Sequence, residues 1–173
     1  MAGIAAHAPA PSQAQSFFAA RQRSIALVGL GFVALLQTIL LTQKGINWDE
    51  FFHLTEIYRF HAGTLTHPLQ TFWVRLLAWV PATGGNSVDQ IILIRGFMQI
   101  AALVTAAGVF AVARRFAPAT PAVLCAMAYL SAGYVFTQAF AYRADPLAAA
   151  CLVWVLWIAG AERLTWSKVA AGA

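Results

Sequence analysis

Residues 24–43 read SIALVGLGFVALLQTILLTQ, an uncharged run with Arg21 and Arg23 before it and Lys44 directly after. At 1.5 Å per residue, a helix of about 20 residues covers about 30 Å, the thickness of bilayer hydrocarbon. A signal peptide has a shorter apolar stretch followed by a small-x-small cleavage site, and neither feature is present. The run is expected to remain as a membrane anchor. Further along, a second apolar run covers about 91–113 and stops at Arg114-Arg115. A third covers 121–140, after a turn carrying Pro118, and a fourth covers 146–161, opening at Pro146. Glu162, Arg163, Trp166 and Lys168 then form an interfacial border.

Composition agrees with this reading. Hydrophobic residues make up 61% of the chain and charged residues 10%, with a mean hydropathy of +0.70, which leaves too little polar surface to coat a water-soluble globule. The expected fold class is all-α integral membrane: four transmembrane helices, with amphipathic surface helices in a long first outer loop. Residues 1–20, rich in Ala, Pro, Gln and Ser, are predicted to be a disordered cytoplasmic tail. The net charge of +5 is scattered between apolar segments and forms no basic cluster, so no nucleic-acid partner is expected. Cys125 and Cys151 fall inside predicted membrane helices, which indicates neither a disulfide framework nor a metal knuckle.

The basic residues carry topology instead. Four spans place both termini on one side. Arg21, Arg23, Arg114, Arg115, Arg163 and Lys168 flank short segments there, whereas Lys44, Arg59 and Arg75 lie in one long loop on the other side, with Arg95 and Arg143. Density in short segments counts most, which puts both termini in the cytoplasm and loop 44–90 outside. For a bacterial inner membrane, that loop is periplasmic.

Loop 44–90 is far longer than the roughly two to eight residues that usually join bundled helices. Asn47-x-x-Glu50 is a capping-box pattern and predicts a helix over 48–61, with Phe51, Phe52, Leu54, Ile57, Tyr58 and Phe60, ended by Gly63. Pro68 suits the first position of a second helix over 68–80, closed by Pro81 and Gly84-Gly85. Aromatic, half-apolar helices of this length lie at the headgroup level, so the loop is expected to form a platform on the bilayer surface.

Two clusters on that side could carry chemistry. Asp49, His53 and Glu56, at i, i+4 and i+7, stack along one face of the first surface helix, with Glu50 beside them. Carboxylates beside an imidazole can take a proton from an acceptor hydroxyl. The plainer alternative has Asp49 and Glu50 answering the helix dipole while His53 and Glu56 face water. A divalent cation held by Asp49 or Glu56 with His53, His61 and His67 is a further option, but the spacings match no compact ligand motif. In the second cluster, Tyr142-Arg143-Ala144-Asp145-Pro146, Arg143 can grip a phosphate and Asp145 can bind a hydroxyl or orient Arg143. Alternatively, Asp145 simply caps the fourth helix. Arg95, with Gln99 one turn deeper, either faces a phosphate in an internal cavity or snorkels outward.

A first span, then Trp48-Asp49-Glu50 opening an aromatic amphipathic helix, then His67-Pro68-Leu69, then Arg143-Ala144-Asp145-Pro146 opening the fourth span, together resemble the N-terminal part of GT-C membrane glycosyltransferases. The likeness covers about residues 24–165 and is greatest to the protein O-mannosyltransferase and aminoarabinose transferase branch. It implies transfer of a sugar from a polyprenyl-phosphate carrier to an acceptor at the outer face, usually with inversion. It maps the catalytic or acceptor-binding carboxylate onto Asp49, with Glu50 as its neighbour, and the family's second acidic position onto Asp145. The same role would make Asp49 the base and Arg143 or Arg95 the phosphate contacts; His53 and Glu56, from their spacing on the first surface helix, are the further candidate substrate-binding groups. Family enzymes have many more membrane helices, so the resemblance implies that this chain is a fragment, a truncated product or half of a split enzyme, completed by further helices or subunits. The competing expectation is a non-enzymatic four-helix accessory or interaction protein.

Overall fold

The computed structural model describes residues 13–66 and 71–160. All its regular elements are helical, with no strand among the described residues: α1 Gln13–Gln43, α2 Trp48–His61, α3 Thr71–Leu76, α4 Ser87–Ala113, α5 Ala119–Ser131, α6 Gly133–Gln138 and α7 Asp145–Ala159, with a 3₁₀ turn at Val80–Thr83. Within α1, Ala20–Gln43 has a mean hydropathy of 2.3, and Ser87–Ala113 has 1.9; both are long and apolar enough to cross a membrane.

The expectation of four spans is met by length in these two alone. The predicted third run is broken: α5 ends at Ala132, whose ψ of 128° leaves the helical region, and α6 restarts at Gly133. α5 and α7, at 13 and 15 residues, are apolar but shorter than the roughly 20 residues a perpendicular crossing takes. Residues 13–20, predicted to be disordered, are the first turns of α1, while the rest of the predicted tail lies outside the described residues.

α4 is the central element, packed on α7, α5, α1 and α2. A Cβ at Gly108 would collide with Val153, so the glycine sets the close approach of α4 and α7. Toward the end that carries α2, Leu54 and Ile57 join Leu77, Val80, Ile91, Ile94, Met98 and Tyr142 in one buried cluster. Deeper in the bundle, the Gln37 amide is fully buried and donates to the carbonyls of Leu130 and Val135, at 3.1 and 3.2 Å. These two carbonyls lie on either side of the break between α5 and α6, so the Gln37 amide ties the two helices to α1 across it.

α2 spans the expected residues, and both halves of its capping box are formed. Gly63, at φ +68°, follows it in the left-handed region that favours glycine. The second surface helix is shorter than 68–80: α3 gives way to a turn at Leu77 and then to the 3₁₀ turn, in which Pro81 stands at the start. Pro68 and His67 lie outside the described residues. His61 Nε2 lies 2.6 Å from the Ala78 carbonyl and ties the end of α2 to this segment.

Candidate functional site

The site begins with the Asn47 cap. Glu50 N–H donates to Asn47 Oδ1 at 3.0 Å, and Asn47 N–H donates to Glu50 Oε2 at 3.1 Å. This points the Glu50 carboxylate into the bundle, where Arg95 Nε and Nη2 donate to its two oxygens at 2.8 and 2.6 Å. The backbone N–H of Tyr142 donates to Oε1 at 3.1 Å, so the carboxylate accepts four hydrogen bonds. The remaining guanidinium donors of Arg95 go to the carbonyls of Leu41 (2.9 Å), Lys44 (2.7 Å) and Gly45 (3.0 Å).

All five N–H donors of Arg95 are therefore engaged, and neither Glu50 nor Arg95 keeps capacity for a substrate. Both are buried: the Glu50 carboxylate is turned into the bundle, and Arg95 points inward to it and not out to the headgroup level. Together they pin the C-terminal end of α1, the start of α2, α4 and the Tyr142 loop at one point. Burial alone would raise the Glu50 carboxyl, but hydrogen bonds from Arg95, Tyr142 N–H and Asn47 N–H outweigh it and hold the group below its ordinary value.

Asp49, the next residue, points the other way. Its side chain is 58% exposed and lies 4.0 Å from Arg143 Nη1. Arg143 Nε is 3.2 Å from Asp145 Oδ2, and the Asp145 side chain is 61% exposed. Tyr134 donates to the same Asp145 oxygen at 3.4 Å. Asp49, Arg143 and Asp145 thus form one half-exposed cluster on the end of the bundle that holds α2. Asp145 is not the cap of α7: Ala144 occupies that position without a side-chain hydrogen bond, Pro146 sits in the first turn, and the Asp145 carboxylate faces Arg143.

The predicted stripe on α2 runs from water inward and does not present three groups together. Asp49 is exposed and His53 half-buried with its ring 5.4 Å from that of Tyr142, whereas Glu56 is buried with Arg59 Nη1 2.7 Å from its Oε1. His53, Trp73, Val74, Tyr142, Arg143 and Ala144 line a pocket of about 30 Å³, room for about one water and far below a sugar. Among the described residues, no three His, Cys, Asp or Glu side chains are grouped as a metal site would need.

Two contributors escape sequence reasoning. Tyr134 falls inside what reads as a continuous third span, and only the break before Gly133 brings it to the cluster. Lys44 Nζ donates to Thr137 O at 2.6 Å. Burial lowers its ammonium pKa, and the charges of Arg95 and Arg143 lower it further against the opposing pull of Glu50. Its position directly after the first apolar run suggested only a boundary charge. No protein-family model, curated protein or solved structure matches this chain.

Proposed function

We propose that this chain is the N-terminal membrane region of a GT-C-like glycosyltransferase, lying in the bilayer with α5 and α7 as further, short or tilted crossings. The reading rests on one observation: Asp49 and Asp145, far apart in sequence, meet across Arg143 on one end of the bundle. In the proposed transfer, Asp49 takes the proton of the acceptor hydroxyl as that oxygen bonds to the anomeric carbon. The bond from that carbon to the phosphate oxygen breaks, and the polyprenyl phosphate leaves with the electron pair, its charge met by Arg143. Asp145 and Tyr134 hold the guanidinium in place. Only 17% of the most apolar window of α1 is buried by protein, which leaves its outer surface for lipid and fits a bilayer setting.

The pocket of about 30 Å³ favours a chain that needs further helices or a subunit to enclose a sugar, and it equally fits the accessory reading. Labelled sugar transfer from a polyprenyl-phosphate carrier, measured in host membranes, separates the two. Asp49→Asn at unchanged protein level is expected to abolish transfer. Full transfer by that variant, or by membranes lacking the chain altogether, leaves the accessory reading standing.

A further inference from the structure

A wide apolar cavity lies at the opposite end from Asp49. It is a groove of about 720 Å³ between α1, α4 and α5, floored by small residues such as Gly31, Ala34 and Ala106, walled by Leu103 and Phe110, and bordered by Arg23. From Arg23 to Ala34, at 1.5 Å per residue, it follows α1 for about 17 Å, close to one leaflet of a hydrocarbon core about 30 Å thick. Just beyond Ala34 the bundle closes: Gln37 bonds to the Leu130 carbonyl, and Gln99 Nε2 donates to Gln37 Oε1 at 3.3 Å. A further transmembrane helix would need a groove across both leaflets, whereas a single acyl chain needs one.

The charge at the mouth points to the headgroup. Arg23 is exposed and makes no hydrogen bond or ion pair among the described residues. Arg21, two residues earlier in α1, is likewise exposed and adds positive charge at this end, but Arg23 is the basic residue that lines the groove. Arg114 donates to the Ala117 carbonyl at 2.7 Å, and Arg115 lies 5.1 Å from the centre of the Trp157 ring. We infer that the groove binds an anionic glycerophospholipid, one acyl chain lying between α1, α4 and α5 and the phosphate at Arg23. The inference rests on the bilayer reading above but not on sugar transfer.

Native mass spectrometry of the full chain released from detergent, after exchange with phosphatidylglycerol or phosphatidylcholine, tests it. The wild-type chain is expected to retain phosphatidylglycerol in preference to phosphatidylcholine. Arg23→Gln is expected to lose the preference. A Cβ at Gly31 meets nothing within 4 Å, so Gly31→Trp fills the groove and is expected to lose both lipids, while Phe32→Trp on the exposed face of α1 keeps them and controls for folding. Equal retention of the two lipids by the wild type, or undiminished lipid on Gly31→Trp, overturns the proposal. So does a mass showing paired chains that Gly31→Trp separates, which would make a second copy the occupant. If the chain instead partitions wholly into the aqueous fraction of host cells, the bilayer reading fails and this inference with it.

Discussion

Asp49 and Glu50 are adjacent in α2, yet one carboxylate is 58% exposed beside Arg143 and the other is 1% exposed and accepts four hydrogen bonds. The helix turn of about 100° between neighbours divides the pair into a group that faces outward and a group that builds the scaffold.

Removing the scaffold charge should be severe. Glu50→Gln leaves Arg95 with an uncompensated buried charge, and breaking such a pair costs about 3–5 kcal/mol. Arg95→Met is expected to cost a similar amount, whereas the double variant should recover part of the loss, because it leaves no charge stranded. Asp49→Asn, at an exposed position, should change stability by less than about 0.5 kcal/mol. Unfolding in detergent, followed by helical circular dichroism, measures all four. An Asp49→Asn effect as large as that of Glu50→Gln would reverse the assignment.

The same pair makes stability depend on pH. The folded-state pKa of Glu50 lies below its ordinary value of 4.5, so the unfolded chain binds its proton first as pH falls. Its contribution is fully present above that value and is lost as pH drops through the lower, folded-state pKa. The difference in melting temperature between wild type and Glu50→Gln should therefore be constant from neutral pH to about pH 5 and shrink in stronger acid. A difference that grew on acidification would contradict the depressed pKa.

How far this arrangement was legible in the sequence depends on the kind of signal. α2 follows from local rules, since Asn47-x-x-Glu50 fixes its start and Gly63 its end, and both act over a few residues. The apolar runs gave α1 and α4 for the same reason. The role of Glu50 was not readable, because a capping-box glutamate looks the same whether or not an arginine 45 positions later reaches its carboxylate. Nor was the break before Gly133, which lies inside what reads as one apolar run and is bridged by Gln37 from another helix. Asp145-Pro146 has the form of a cap, but the Asp145 carboxylate turns back to Arg143, two residues earlier.

Gly108 offers a test of the packing that supports this end-to-end arrangement. Any Cβ there runs into Val153 of α7, and the nearby Trp154 indole N–H, which donates to the Val104 carbonyl at 3.3 Å, must shift with it. Gly108→Val is expected to destabilise by about 1–3 kcal/mol through overpacking. The paired variant Gly108→Val with Val153→Ala should regain part of that loss, and the absence of any recovery would place the strain elsewhere.

The sidedness of the cluster can be examined without reference to any activity. Cys125 and Cys151 are the natural cysteines, both free and exposed, so the test begins from a chain with serine at both positions. Trp48→Cys and Tyr134→Cys, placed at residues 80% and 60% exposed on the end that carries Asp49, should react together with a membrane-impermeant maleimide added to intact cells or spheroplasts. Phe116→Cys, at an 85% exposed position on the opposite end, should react only after the membrane is opened. The expected direction rests on the proposed bilayer setting together with the positive-inside tendency, which would place the Arg114-Arg115 end in the cytoplasm. If positions 48 and 134 label from different sides, Asp49 and Asp145 cannot serve one substrate. If all three label equally in intact cells, the bundle does not separate two compartments. Reversed labelling would keep the cluster but move its substrate to the cytoplasmic face.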